Sequence, residues 1–315
     1  MKKIDVFSMQ IIAKYLLTPT DYLSIIQICK KYEFILDRFR INPIRISPDS
    51  KRLFQNIQTQ IVYTPYDIIM TVDRHIFLYF VSYTEFIEKN TNFEVYKNVR
   101  YTSEDVEKNG NKIPDIVSTL DCAVFDDKDE LIEISIPSNV TEIDKLAFES
   151  CGLTKIEIPS TVKMIRERAF AYCSSLKEVK LPENITMIPN SCFVACSELE
   201  NVNFPNSLQF IGSFAFSNAK LVDVTIPEFC DIGADCFSSN GYLTRIVLNG
   251  VSHIPNSMCE LCYNLKIVEI SDKLIEIGNL AFKYCGSLEY FNFNDNLEFI
   301  GNYAFNYLQI SKQRN

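Results

Sequence analysis

The feature that most constrains this chain is a sequence period. From Leu131 a phrase of the form L-x-x-I-x-I-P-x-x-V-x-x-I-x-x-x-A-F-x-x-C returns eight times, opened by Leu131, Leu153, Leu176, Leu199, Leu221, Leu243, Leu265 and Leu288. Successive openings lie 22, 23, 23, 22, 22, 22 and 23 residues apart. A unit this short cannot close a core alone, so copies must stack and bury their apolar side chains between neighbours. Each copy carries two apolar positions one residue apart, from Ile134/Ile136 and Ile156/Ile158 through Val179/Leu181, Val202/Phe204, Val224/Ile226, Ile246/Leu248 and Val268/Ile270 to Phe291/Phe293. That alternation is a short strand with one face inward. Proline follows directly at Pro137, Pro159, Pro182, Pro205 and Pro227; having no N–H to donate, it ends the strand and turns the chain.

The remaining columns keep the same phase. Val140, Val162, Ile185 and Leu208 precede Ile143, Ile165, Ile188 and Ile211. A small residue followed by phenylalanine then recurs, at Ala147-Phe148, Ala169-Phe170, Cys192-Phe193, Ala215-Phe216, Cys236-Phe237, Ala281-Phe282 and Ala304-Phe305. Cys151, Cys173, Cys196, Cys262 and Cys285 form one further column, broken by Ala219 and Asn240. Such a column reads as buried small hydrophobes, a packing role. Copies five and six lose a residue after the strand, so that Phe229 and Val251 come early, and copy six carries Asn249 for proline and Met258-Cys259 for Ala-Phe. Upstream, Ile113-Pro114, Val117, Leu120 and Val124-Phe125 repeat the offsets, with Lys108 and Asn111 where the leading apolar residues should stand. This partial copy is the expected N-terminal cap.

Units reading like residues 158–182, IPSTVKMIRERAFAYCSSLKEVKLP, resemble the BspA-like class of leucine-rich repeats over about residues 113–308. The resemblance implies an α/β leucine-rich-repeat solenoid with a curved parallel sheet and a short irregular or helical convex side. It also implies a recognition scaffold, without naming the partner.

Residues 1–40 change character and form a small helical region. Phe7, Ile11, Ile12, Tyr15 and Leu16 sit at helical spacing before Thr18-Pro19, and Thr20 or Asp21 can cap a second helix running through Leu23, Ile25, Ile26, Cys29, Tyr32, Ile35 and Leu36. A short helix, a proline turn and a second helix carrying Ile28-Cys29-Lys30-Lys31-Tyr32 resembles the F-box, with tyrosine for the usual tryptophan and no leading Leu-Pro. That resemblance would make Ile28, Lys30 and Tyr32 contacts to a cullin-ligase adaptor; the alternative is a cap packed on the rest of the chain. Residues 41–112 read as a mixed connecting region. Leu53, Ile57, Ile61 and Tyr63 suggest an atypical repeat, Ile76–Val81 with Tyr83 suggests a strand, and Thr102–Lys112 suggests an exposed boundary. The solenoid then spans 113–308 and a tail 309–315.

Searching the chain for chemistry yields no catalytic site. Of its two histidines, His75 lies beside an apolar strand, and His253 stands near Cys259 and Cys262. A C-x-x-C with a nearby histidine can hold zinc, yet both cysteines fall on inward columns, so packing accounts for them and neither metal nor cofactor is expected. P-loop, dinucleotide and nucleophile-elbow motifs are missing, and nine glycines leave little for phosphate-cradling loops. Carboxylate neighbours such as Asp126-Asp127 and Asp129-Glu130 read as a solvated turn. A formal net charge of −9 disfavours nucleic acid and anionic membrane as non-specific partners. Nor is there a run of the roughly 18 apolar residues that a membrane helix requires. Lys2-Lys3 opens a segment interrupted by Asp5, Gln10 and Lys14 without a small-residue cleavage site, which together with eleven cysteines suggests reduced thiols in the cytoplasm.

Binding should therefore fall to the outward strand positions. One column is Glu133, Lys155, Glu178, Asn201, Asp223, Arg245, Ile267 and Tyr290; the other is Ser135, Glu157, Lys180, Asn203, Thr225, Val247, Glu269 and Asn292. Apolar residues gather toward the C-terminus, so Arg245, Val247, Ile267, Glu269, Tyr290 and Asn292 are the candidate partner contacts. The expected function is a non-catalytic protein-interaction scaffold. Two alternatives remain open, each implied by a resemblance: an F-box-like substrate-recognition subunit of a cullin ubiquitin ligase, and, as the BspA-like resemblance suggests, a surface adhesin whose sequons at Asn139 and Asn184 would carry glycan.

Overall fold

The computed structural model describes residues 4–28, 30–89 and 93–308. The chain forms two compact units, residues 1–100 and 101–315.

In the first unit, Asp5 caps helix α1 (Val6–Ala13), its carboxylate accepting from the Ser8 N–H at 2.9 Å. Helix α2 (Pro19–Ile28) follows, its start fixed by reciprocal bonds between Thr18 and Asp21. Proline at the first position of α2 has no N–H to orphan. Tyr22, Phe39 and Phe54 meet edge to face with centroids 5.2–6.3 Å apart, and Met9, Ala13, Ile25, Ile35 and Ile46 close the core around them. Three parallel strands come next: β1 (Thr59–Val62), β2 (Arg74–Ser82) and, after helix α3 (Tyr83–Lys89), β3 (Glu94–Tyr101), with β2 paired to both others.

Two sequence expectations for this region need correction. The second helix stops at Ile28; Lys30–Tyr32 and Leu36–Arg38 are 3-10 turns, and Cys29 lies outside the described residues. The apolar period alone would have continued the helix. Tertiary contact overrides it, because the Tyr32 hydroxyl donates to the Ile4 carbonyl at 2.7 Å. Tyr83 opens α3 instead of extending the strand. Residues 102–112, expected as an exposed boundary, open the second unit and are mostly exposed, and they contain helix α4 (Ser103–Asn109) with Asp105 and Val106 buried. Thr102 and Asp105 form a capping box, each side chain satisfying the other's backbone N–H.

The second unit is a stack of coils, each contributing three hydrogen-bonded faces. The front face carries the short strands 155–157, 178–180, 201–202, 223–226, 245–248, 267–270 and 290–291, all parallel where paired. A second face carries two-residue strands, from Thr119–Leu120 through Met164–Ile165 and Phe210–Ile211 to Phe299–Ile300, in three parallel runs.

The third face is built from turns, not helices. Each coil places two residues, four apart, at positive φ, such as Leu146 (60°) with Ser150 (54°), and Arg168 (59°) with Tyr172 (59°). An L-residue in this region costs roughly 1–2 kcal/mol. Hydrogen bonds between coils offset that cost, since alternate N–H groups cross to the next coil: Phe148 to the Ala169 carbonyl at 2.8 Å, and Ser150 to that of Ala171 at 2.9 Å. The intervening N–H groups close turns within the coil. Inside, Phe125, Phe148, Phe170, Phe193, Phe216 and Phe237 stack nearly parallel at 5.1–5.8 Å between centroids. In copy six Cys259 takes the phenylalanine place and Met258 the small one, both fully buried.

The cysteine column does more than pack. Cys151, Cys173, Cys196 and Cys262 each donate their thiol to the carbonyl of a stacked phenylalanine, at 3.0–3.2 Å, and Cys285 donates to Cys259. Asn240 does the same with its amide, to Phe216 at 2.7 Å. A further correction concerns copy five: the inward residue is Cys230, whereas Phe229 stands 73% exposed at φ 65°. The lost residue there lies between Cys230 and Ile232, after the inward position instead of before it. In copy six Val251 is inward, as the spacing predicts.

Candidate interaction surface

The two outward columns read from the sequence stand side by side on the front face. Asp223, Arg245, Ile267 and Tyr290 are direct ladder partners, as are Thr225, Val247 and Glu269. Lys155 pairs in register with Glu178, which pairs with Asn201. In-register positions of a parallel sheet sit about one strand spacing apart, so charges in a column reach each other. Lys155 meets Glu133 at 3.4 Å and Lys180 meets Glu157 at 2.6 Å. Arg245 bridges Asp223 at 3.3 Å and Glu269 at 2.9 Å; the bond to Glu269 foremost raises its pKa further above an already high value. Exposed pairs of this kind contribute only about 0–1 kcal/mol each to stability. Tyr290, 51% exposed, is the aromatic residue of the column. Val247 and Ile267 are half-buried between the charges, and Asn292 accepts from the Ile270 N–H.

The front sheet is interrupted. Strands 155–157, 178–180 and 201–202 form one run, and those from 223–226 to 290–291 form another. Between them the ladder bonds lapse, although Lys220 and Val222 still donate to the carbonyls of Leu199 and Glu200 just before the break. Phe204 occupies this seam in a column otherwise mostly of isoleucine and leucine, its ring edge-on to Phe216 at 5.4 Å. A groove of about 770 Å³ opens there, lined by Asn201, Asn203, Asp223, Thr225, Glu228 and Lys273 among others. A second groove of about 470 Å³ runs along Glu133, Lys155, Glu157 and Lys180.

Sequence reasoning missed the loop side of the larger groove. Lys273 reaches across two coils to Glu228 at 2.9 Å and covers the Phe229 ring at 4.7 Å. Gly250 lies between, at φ 66°, where a Cβ would stand 2.8 Å from the Glu228 Cγ; a larger residue would meet the left-handed backbone cost and push the Glu228 side chain aside. The replacement of proline by Asn249 and Ser271 was the available signal, because the loops depart from the repeat at these points.

Other candidates separate. Ile28 and Lys30 are exposed, but the Tyr32 ring is 4% exposed, so its side chain cannot serve as an adaptor contact. His253 is exposed and hydrogen-bonded to Ser252, whereas Cys259 and Cys262 are fully buried. Among the described residues no group of three or more His, Cys, Asp or Glu side chains is placed to hold a metal ion. No helix among them is long and apolar enough to cross a membrane.

The family model described as the BspA type leucine rich repeat region, in six copies, matches residues 104–212 and 186–311. Among solved structures, a leucine-rich-repeat protein of T. pallidum is 31% identical, covering 50% of this chain and 78% of that one with a TM-score of 0.47. A leucine-rich-repeat protein from Bacteroides ovatus is 22% identical, covering 80% and 77%, with a TM-score of 0.41. One from Eubacterium ventriosum is 16% identical, covering 92% and 88%, with a TM-score of 0.40. No curated protein matches the sequence. With the matched segments spanning most of the coiled stack, the chain belongs to the BspA-type leucine-rich-repeat family.

Proposed function

We propose that the second unit is a non-catalytic scaffold that binds a protein partner along its front face. The observation that carries this reading is the interrupted front sheet, a polar groove of about 770 Å³ flanked by the partly apolar columns of copies six to eight. Tyr290 is the aromatic anchor in this reading, with its ladder neighbour Ile267 and, in the adjoining column, Val247 as further apolar contacts and Arg245, Glu269 and Asn292 as the polar rim. The partner is a folded protein or an extended segment of mixed charge, since Asp223, Glu228, Arg245 and Lys273 present both signs.

Reduced thiols support a cytoplasmic setting, because nine of the ten described cysteines are buried and unpaired. An adaptor-docking role for residues 1–40 is left with Ile28 and Lys30 alone, and no observation favours it over the scaffold.

The test is affinity capture from the native cell by the full chain and by a Val247→Ala/Ile267→Ala/Tyr290→Ala variant. Loss of such anchors should reduce recovery of the partner at least about tenfold. Undiminished recovery of the same partner would refute the front-face assignment.

A further inference from the structure

The net charge of the chain conceals a strong asymmetry. Residues 1–58 hold ten Lys and Arg against five Asp and Glu, which leaves 21 against 35 for the remainder. Fields in salt solution decay within about 10 Å, so a surface that approaches the head meets its local cations and not the chain's total of −9.

Three of those cations, Lys14, Arg38 and Arg40, adjoin an apolar face that has no partner among the described residues of the first unit. Helix α1 is apolar on both sides: Met9 and Ala13 enter the core, while Phe7 (67%) and Ile11 (43%) are exposed on the opposite side. Phe7, Gln10, Ile11 and Lys14 fall at i, i+3, i+4 and i+7, one continuous strip of helix surface. Beyond its end Tyr15 and Leu17 are 78% and 83% exposed. Gln10 and Lys14 also line a cavity of about 400 Å³ with Arg38, Arg40, Ile41 and Tyr63, and no carboxylate contributes to its wall. Arg40 donates to the carbonyls of Asp37 and Asn56 at 3.2 Å. The side chains of Lys14 and Arg38 have no hydrogen-bond or ion-pair partner among the described residues.

We propose that this face docks on an anionic lipid surface. Phe7, Ile11, Tyr15 and Leu17 enter the boundary between headgroups and acyl chains, and Lys14, Arg38 and Arg40 take lipid phosphate or carboxylate groups around the cavity. Protruding side chains favour lipid over a folded acidic partner, which would need a matching pocket for each. Cations on long alkyl stems beside the apolar strip suit the headgroup layer, where stem and charge are both accommodated. Anionic lipid adds attraction near the surface with every cation.

The experiment is co-sedimentation of the full chain with vesicles of phosphatidylcholine alone and of phosphatidylcholine with phosphatidylserine. Binding is expected on the anionic vesicles and should fall as salt is raised. Two head variants, Phe7→Glu/Ile11→Glu and Lys14→Glu/Arg38→Glu, should each lower the affinity at least about tenfold. All four positions are exposed, and unchanged circular dichroism checks their folding. A variant of exposed lysines in the coils, Lys163→Glu/Lys177→Glu, should bind like the wild type. No binding, equal binding to neutral vesicles, or binding unmoved by both head variants would overturn the proposal. Capture by soluble polyglutamate without vesicle binding would assign the face to an acidic protein and equally overturn it.

Discussion

Asn240 tests the reasoning about coil stacking most directly. It interrupts the cysteine column, is fully buried, and makes four side-chain bonds: its amide donates to the carbonyls of Phe216 at 2.7 Å, Phe237 at 2.9 Å and, at the long limit of 3.5 Å, Ser238, and its Oδ1 accepts from the Leu221 N–H at 3.2 Å. The last bond has a cause in the sequence. In most copies the opening leucine follows its column residue by three and closes a turn onto it, as Leu199 does onto Cys196 at 2.9 Å. Copy four is one residue short at this point, so Leu221 follows Ala219 by two, and Asn240 of the next coil receives its N–H. Asn240→Ala should strand the Leu221 N–H and the Phe216 carbonyl, while Phe237 keeps the Cys262 thiol at 3.2 Å. Two buried unsatisfied groups at about 1–3 kcal/mol each, with a small void, come to about 4 kcal/mol. Asn240→Cys restores the thiol donor found elsewhere in the column and strands only the N–H, so its cost should be about 2 kcal/mol. Urea denaturation followed by circular dichroism measures both, as the chain has no tryptophan to report. An alanine variant within about 0.5 kcal/mol of wild type, or a cysteine variant as unstable as the alanine one, would refute the account.

Three further outcomes are expected. Cys259→Phe alone should overpack copy six by about 1–3 kcal/mol, and Met258→Ala alone should leave a cavity. The double variant rebuilds the Ala-Phe step of other coils, so a double-mutant cycle should return at least about 1 kcal/mol of favourable coupling; additive losses would refute the exchange of volumes. Burial raises the pKa of eight thiols from the ordinary 9.0, with Cys173 and Cys230 pushed up to about 12. The folded state therefore holds protons that the unfolded chain releases, so stability is full below pH 9 and falls between pH 9 and about 12, by about 1.4 kcal/mol per pH unit for each thiol. A melting temperature flat through that range would contradict it. Cys122 is the one exposed thiol among the described cysteines, so a thiol reagent applied to the native chain should label it while the nine buried thiols react only on unfolding; mass spectrometry of the labelled peptides decides.

The period of the repeat, its inward columns and its outward ones were legible without coordinates, because stacking forces every copy to reuse the same places for the same physical work. The registry of Asp223, Arg245, Ile267 and Tyr290 follows from counting alone. Departures from the repeat were legible as departures, but not in their consequence. Asn249 marked the larger groove, yet nothing in the sequence said that Lys273 would cross two coils to Glu228. Asn240 looked like a gap in a packing column and proved to be a donor matched to a deletion one coil earlier. Phe229 and Cys230 exchanged the places that spacing assigned, since either can be counted inward until the backbone turns at positive φ.

In the head the balance reverses. Helical spacing marked Phe7, Ile11, Tyr15 and Leu16 equally, and only packing separated the inward Met9 and Ala13 from the exposed Phe7 and Ile11. The second helix ended early because a hydroxyl found a distant carbonyl, and Tyr32 was thereby withdrawn from the surface. The sequence by itself determined what recurs, since a repeat states its environment many times over. Tertiary structure alone decided what occurs once: the seam, the bridging Asn240, and which side of a mostly apolar helix faces water. Such features depend on contacts between residues far apart in the chain, for which local pattern carries no signal.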